Sequence, residues 1–99
     1  MSAQTQIINN NIQEIACGCW YTSTGRTIPM MFKYQDEEGN IYTIRDFRIT
    51  EAKERNFVGI HQEDFHCELI QDGITYNFRL LNHMTKCRWS VIWGSKEES

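Results

Sequence analysis

The 99-residue sequence has no apolar run longer than four residues, so no segment can cross a bilayer as a helix. The first eleven residues, MSAQTQIINNN, lack the positive start and the apolar stretch that are typical of a secretory signal. We therefore expect a cytoplasmic location. In that reducing compartment, the four cysteines are expected to be thiols or metal ligands rather than disulfides.

The sequence also lacks the motifs of common enzyme families. It contains neither G-x-G-x-x-G nor a P-loop, and the acidic clusters lie in predicted turns, where solvated carboxylates keep ordinary pKa values. His66 directly precedes Cys67, so in a strand the two side chains point to opposite faces and cannot form a nucleophile–base pair. A net charge of −3 gives no overall attraction to nucleic acid or to anionic membranes. These features favour a non-catalytic protein.

The clearest positive signal is a β-hairpin over residues 64–81. Two stretches with a two-residue period are joined by Asp72 and Gly73, which favour a tight turn with positive φ. One predicted face carries mostly large apolar side chains, which we expect to be buried: Phe65, Cys67, Leu69, Ile74, Tyr76, Phe78 and Leu80.

Further strands are predicted over residues 14–21, 27–34, 40–50, 57–60 and 86–93. Ile28 and Met30 are expected to face inward with Phe32 and Tyr34, and Pro29 indicates that this end of the strand is an edge or carries a β-bulge. The apolar pattern of the third strand changes phase near Arg45, which predicts a bulge that bends it. Residues 51–56 are interpreted as a charged connection, with one helical turn as the alternative, and residues 61–64 as a turn.

Together these strands predict an all-β fold, a small antiparallel β-barrel or roll of six to seven short strands. One short N-terminal helical turn is compatible with the spacing of Ile8, Ile12 and Ile15. We expect a flexible segment over residues 1–11, a single domain over residues 12–93 and a frayed tail over residues 94–99.

Basic side chains on the outer faces of the strands are candidates for nucleic-acid binding. Small curved barrels bind single strands through a positive stripe with aromatic platforms. The alternative is that these residues pair with outer acids such as Glu68 and keep the sheet surface charged. The predicted set is Lys33, Arg79, Lys86 and Arg88.

The four cysteines, Cys17, Cys19, Cys67 and Cys87, are candidates for a structural zinc site. Cys17 and Cys19 share a face but lie roughly 6.6 Å apart along a regular strand, which is too far for one zinc ion unless Gly18 forms a bulge. The alternative is that Cys67 and Cys87 are small apolar residues among aromatic side chains. We expect no cofactor, with zinc as the alternative.

Apolar side chains on predicted outer faces are candidates for a protein contact, because exposed apolar rows on small domains often mark interfaces. Self-association is the favoured partner hypothesis, since two-fold dimers are the commonest soluble assembly. The candidate interface comprises Trp20, Met31, Ile70, Leu81 and Ile92. The tryptophans Trp20, Trp89 and Trp93 are also candidates for lining a ligand cleft.

The segment FKYQDEEGNIYTIRDFRI and the later YNFRLL resemble the small Sm-like barrels of bacterial regulators, the WYL modules. Those modules share a strand of the form Tyr-x-Asp-x-x-Gly and a later Phe-x-Leu. The resemblance covers about half of the chain, without the Trp-Tyr-Leu signature or a preceding helix-turn-helix. It implies a small barrel of bacterial type and assigns no functional residue.

These observations favour a non-catalytic binding module that acts through an exposed sheet face, by protein–protein interaction or self-association. Single-stranded nucleic-acid binding and a zinc-stabilised domain are the two alternatives.

Overall fold

The computed structural model describes residues 12–94 as an all-β domain with seven strands and no helix. The predicted fold class is therefore confirmed. The strands are β1 (Ile12–Tyr21), β2 (Thr27–Gln35), β3 (Ile41–Ile44), β4 (Arg48–Phe57), β5 (Ile60–Gln71), β6 (Ile74–His83) and β7 (Arg88–Trp93).

All seven strands form one antiparallel sheet in the order β3-β2-β1-β7-β6-β5-β4, which curls into a half-barrel. The first strand pairs with both β2 and β7, and this pairing joins the N-terminal strands to the β4–β7 meander. The two edge strands, β3 and β4, are consecutive along the chain. Only residues 45–47 separate them, so the curled sheet brings its two edges close together.

The predicted β5–β6 hairpin is confirmed. Asp72 and Gly73 have φ values of 54° and 76°, which is the pattern of a two-residue type I′ turn. The register pairs Gln71 with Ile74 and continues along both strands. The inner face alternates as predicted, although the exposed fractions of Ile74 and Tyr76 are 53% and 47% near the hairpin tip.

The prediction for residues 51–64 is wrong, because this segment forms most of a second long hairpin. Residues 51–56 belong to β4 and residues 61–64 belong to β5. The true turn is Val58-Gly59, with φ values of 51° and 78°. β4 is an edge strand, and its charged side chains need no apolar partners. Its sequence therefore lacks the apolar alternation that would have predicted a strand.

The apolar pattern of the predicted third strand does change phase, but the cause is a break between two strands, β3 and β4, rather than a bulge within one strand. Pairing with β2 ends at Ile44, and pairing with β5 begins at Arg48. Asp46 has a φ of 59°, which turns the chain between the two pairings. The inner faces on both sides of the break thereby remain apolar, with Ile44 before it and Phe47 and Ile49 after it.

A bulge does occur beside Pro29, as one of the two predicted alternatives requires. Gly18 pairs with Met31 and Cys19 pairs with Pro29, so Met30 is the extra residue. Because of this extra residue, the side chains before it in β2 point to the face opposite to the one that strict alternation predicts. Ile28 and Met30, which were expected to face inward, are consequently exposed by 37% and 48%. The other alternative, an edge at this end of the strand, also holds, because the pairing of β2 with β3 covers only residues 32–35.

The core fills the concave side of the sheet. Its buried members come from β2, β5, β6 and β7: Phe32, Phe65, Cys67, Phe78, Leu80 and Val91. The ring centroids of Phe32 and Phe78 lie 5.5 Å apart, and Phe47 lies 5.6 Å from Phe78. These rings therefore join the two halves of the curled sheet.

Predictions for residues 1–11 and 95–99 lie outside the described residues. Ile12 and Ile15, which were assigned to a possible helical turn, lie in β1 instead. Gly94 belongs to the described structure, and its N–H donates to the carbonyl of Asn77 at 2.8 Å, so this first residue of the predicted frayed tail is held. No helix within residues 12–94 has the length and apolarity needed to span a membrane.

Candidate ligand-binding site at the open end of the half-barrel

An apolar cavity of about 430 Å³ opens at one end of the half-barrel. This volume lies within the range of about 300–1,000 Å³ that is usual for small-molecule pockets. The lining comes from β2, β3, the β5–β6 hairpin and the end of β7, and consists of Tyr34, Ile44, Leu69, Gln71, Ile74, Thr75, Tyr76, Asn77, Phe78, Trp93 and Gly94. The cavity is therefore built from strand ends that are distant in sequence.

The aromatic part of the wall is held by ring packing. The Tyr34 ring meets the edge of Trp93 with centroids 5.1 Å apart, and it stacks on Tyr42 at 5.2 Å. Phe78 lies 5.8 Å from Trp93 and connects this wall to the core. Aromatic pairs at such distances contribute about 0.5–1.5 kcal/mol beyond their buried area, so these packed rings stabilise the cavity wall.

Hydrogen bonds hold two further parts of the wall. The indole N–H of Trp93 donates to the side-chain oxygen of Gln13 at 3.2 Å, and the side-chain amide of Gln13 donates to the carbonyl of Gln35. The Gly94–Asn77 backbone bond closes the wall beside β6. A side chain at Gly94 has no room, because its Cβ would lie 2.3 Å from the Asn77 carbonyl oxygen.

The mouth of the cavity follows from the break between β3 and β4. Because β4 begins opposite Glu68, residues 69–71 of β5 extend beyond their β4 partner. A cleft of about 370 Å³ lies between this extension and residues 43–46. Ile44, Leu69 and Gln71 line both the cleft and the cavity, so the cleft lies directly beside the cavity.

The β2–β3 turn beside this end is ordered by Asp36. Its carboxylate accepts backbone N–H bonds from Glu38 and Asn40, both at 2.9 Å, and a hydroxyl bond from Tyr42 at 3.1 Å. The Asn40 backbone bond is the main cause that lowers the pKa of Asp36. Asp36 in turn raises the pKa of Tyr42, which therefore stays protonated and positioned against Tyr34.

The convex side carries a separate cluster of charges around a fully buried carboxylate, Asp64. Arg79 donates two hydrogen bonds to it at 3.1 and 2.6 Å, Arg55 lies 3.4 Å away and His66 3.9 Å away. Burial opposes ionisation of Asp64, but the bonds and charge of Arg79, followed by the charges of His66 and Arg55, lower its pKa overall.

The structure does not bring the predicted basic residues into one free stripe. Arg79 binds Asp64, and Arg88 forms an ion pair with Glu14 at 3.2 Å. Lys33 lies on β2, separated from β7 by β1, and Lys86 lies in the turn between β6 and β7. Pairing of outer arginines with outer acids, the alternative reading, also occurs between Arg48 and Glu68. Nucleic-acid binding stays a prediction without a continuous surface to support it.

All four cysteines are free thiols, with Cys67 buried, Cys17 and Cys19 half-buried and Cys87 exposed. Burial is the largest cause that raises the pKa of Cys17 and of Cys67 to about 12, so both are protonated at neutral pH. Within residues 12–94, no group of three or more Cys, His, Asp or Glu side chains is arranged to hold a metal ion. The zinc alternative therefore stays a prediction.

The predicted interface residues do not form one patch. Trp20 and Met31 lie near each other on β1 and β2, and Trp20 is 64% exposed. Ile70 lies by the hairpin tip on β5, and Ile92 is half-buried on β7. Leu81 was expected to be exposed, but only 7% of its surface is accessible, because its outward position lies beside buried Asp64 and Ser90 on the neighbouring strands.

The sequence predicts inner faces for five of the eleven lining residues, Tyr34, Leu69, Ile74, Tyr76 and Phe78, but it did not reveal the cavity itself. Tyr34, Tyr76 and Trp93 are the inward aromatic residues nearest to one end of their strands. Their position near the strand ends was a signal for a cavity, since inward side chains at the end of a small barrel have no further layer of core residues above them. The strand order needed to bring the three together was not visible in the sequence. Of the three tryptophans proposed for a ligand cleft, only Trp93 lines the cavity.

No family model matches the chain, and neither curated proteins nor solved structures match it significantly. The resemblance to the WYL modules gains no support from these comparisons. The function must therefore be argued from the site alone.

Proposed function

We propose that this domain is a non-catalytic binding module that takes a small, neutral, largely apolar ligand into the cavity at its open end. One observation supports the proposal, which is the aromatic cavity of about 430 Å³ with a cleft directly beside it. Such a concave, mainly apolar pocket is the usual form of a small-molecule site. Its four free thiols are consistent with a reducing compartment, so a cytoplasmic location is part of the proposal.

The lining chemistry argues for a neutral ligand. Among the described residues, no Asp, Glu, Lys, Arg or His side chain lines the cavity. An ionised ligand would lose hydration there without gaining a charged partner, which is unfavourable. The polar side chains of the lining include the amides of Gln71 and Asn77 and the hydroxyls of Tyr34, Thr75 and Tyr76, which are neutral and suit one or two neutral hydrogen-bonding groups of a ligand.

The test uses N-phenyl-1-naphthylamine, a neutral probe whose fluorescence rises when it enters an apolar site. Saturable binding with one site per chain is expected. Ile74→Glu places a charge on the cavity wall and is expected to weaken binding by about tenfold or more, because a penalty of about 1.4 kcal/mol is tenfold in affinity.

Ile60→Glu is the matched control. Ile60 and Ile74 each begin a strand directly after a two-residue type I′ turn, and they are exposed by 48% and 53%. Only Ile74 lines the cavity. The control is expected to change probe affinity by less than about twofold. Absence of saturable binding, or equal losses in the two variants, would contradict the proposal.

A further inference from the structure

The long edge strand β4 has a free side. It has ten residues and pairs with β5 along one side, whereas no other strand of residues 12–94 pairs with its opposite side. The other edge strand, β3, has only four residues. Long edge strands present unpaired N–H and C=O groups that can template pairing with another chain. The greater length makes β4 the stronger candidate for such pairing.

The register determines which β4 backbone groups point outward. In the type I′ hairpin, the residues that flank the turn, Phe57 and Ile60, exchange backbone hydrogen bonds. Alternation along the antiparallel pair then directs the N–H and C=O groups of Lys53 and Arg55 toward β5. The backbone groups of Ala52, Glu54 and Asn56 consequently point away from the sheet.

We infer that two copies of this chain pair through β4, antiparallel to each other, about a two-fold axis at Ala52. In this register Ala52 opposes its own copy and exchanges two backbone hydrogen bonds with it. Glu51 of each protomer then lies directly opposite Lys53 of its partner. The two half-barrels become one continuous sheet across the axis, and the inference is independent of the cavity.

The charge pattern selects both the partner and the register. Glu51 and Lys53 lie on the same side of one strand, and their charged groups are 3.6 Å apart within the protomer. Pairing about Ala52 converts this contact into two cross-strand Glu–Lys pairs of opposite charge. A shift of the axis to Glu51 or to Lys53 would place two like charges directly opposite each other, which is destabilising. Among these three registers, a second copy is therefore complementary to this edge only when the axis lies at Ala52.

The test is the concentration dependence of the molar mass in analytical ultracentrifugation. The unaltered chain is expected to form dimers. Ala52→Pro removes the outward N–H at the axis, a position where an edge strand tolerates proline, and is expected to give monomers. Circular dichroism and urea unfolding check that this variant remains folded.

Charge reversal gives an independent test with exposed side chains, since Lys53 and Glu51 are 48% and 54% accessible. Each single reversal, Glu51→Lys or Lys53→Glu, replaces two attractive pairs with two repulsive ones and should weaken dimerisation by about tenfold or more. The double reversal restores opposite charges and should recover dimerisation. A chain that stays monomeric at hundreds of micromolar would overturn the inference. Dimers that are unaffected by the single reversals would also overturn it.

Discussion

Replacing Arg79 with methionine is expected to destabilise the fold more than replacing its partner Asp64 with asparagine. The asymmetry comes from burial, because the Asp64 side chain is inaccessible to water, whereas 36% of the Arg79 side chain is accessible. In Arg79→Met the carboxylate stays buried and loses both of its short hydrogen bonds. In Asp64→Asn the remaining guanidinium is partly hydrated, and the amide oxygen can still accept one hydrogen bond.

Removing one member of a buried ion pair costs about 3–5 kcal/mol. Arg55 at 3.4 Å and His66 at 3.9 Å still face Asp64 after Arg79 is removed, so we expect a loss of about 2–4 kcal/mol for Arg79→Met. For Asp64→Asn we expect about 1–2 kcal/mol, because a hydrogen bond to a charged group contributes about 1.5–3 kcal/mol and the amide oxygen still accepts one weaker bond. The double variant should lose less than the sum, because the two residues interact directly.

Urea unfolding of the two single variants and the double variant measures these free energies. The pKa of Asp64 is lowered in the folded state, whereas an unfolded aspartate titrates near pH 3.9, so the stabilisation is complete above about pH 5. It decreases as the pH falls below about 4 toward the folded-state pKa. The stability difference between the unaltered chain and Asp64→Asn should shrink in that window. A larger loss in Asp64→Asn than in Arg79→Met at pH 7 would refute the reasoning.

Three further results are expected. Gly94→Ala should lower the free energy of unfolding by about 1–3 kcal/mol, because the new Cβ would collide with the Asn77 carbonyl oxygen; an unchanged urea midpoint would contradict this. When the thiols of the native protein are labelled, exposed Cys87 should react rapidly, whereas buried Cys67, with its pKa raised to about 12, should react only on unfolding. Equal labelling rates would show that the interior is accessible. Trp89→Ala should cost about 3 kcal/mol in urea unfolding, since its ring stacks on Phe65 at 6.0 Å; a loss below about 1 kcal/mol would be inconsistent with core packing.

The parts of the fold that depend on local chemistry were predictable. Asp72-Gly73 specifies a tight turn through its positive φ angles, and the inward series around Phe78 follows from a two-residue period. The phase change at Arg45 located the break between β3 and β4, although not the exchange of pairing partners. Such exchange is a long-range property, because it depends on which strand lies beside the chain in space.

The wrong predictions have this same cause, because they depended on which strands are neighbours in space. The sequence EAKERN has no apolar periodicity because its side chains lie on an edge strand, so only its pairing with β5 makes it β structure. Asp64 looked like a turn residue because nothing local indicates that Arg79 will neutralise it in the interior. The cavity needed the same information, since Tyr34 and Trp93 meet only through the order of the strands.

The short connection over residues 45–47 has a mechanical consequence. Four peptide steps separate the Cα atoms of Ile44 and Arg48, so those two points can never be more than about 14 Å apart. The connection acts as a tether at one corner of the cavity mouth. Any widening of the mouth is therefore limited at this corner, whereas the distal β5–β6 tip has no such covalent limit. Lengthening the tether by a few residues would remove this limit without altering any residue that lines the cavity.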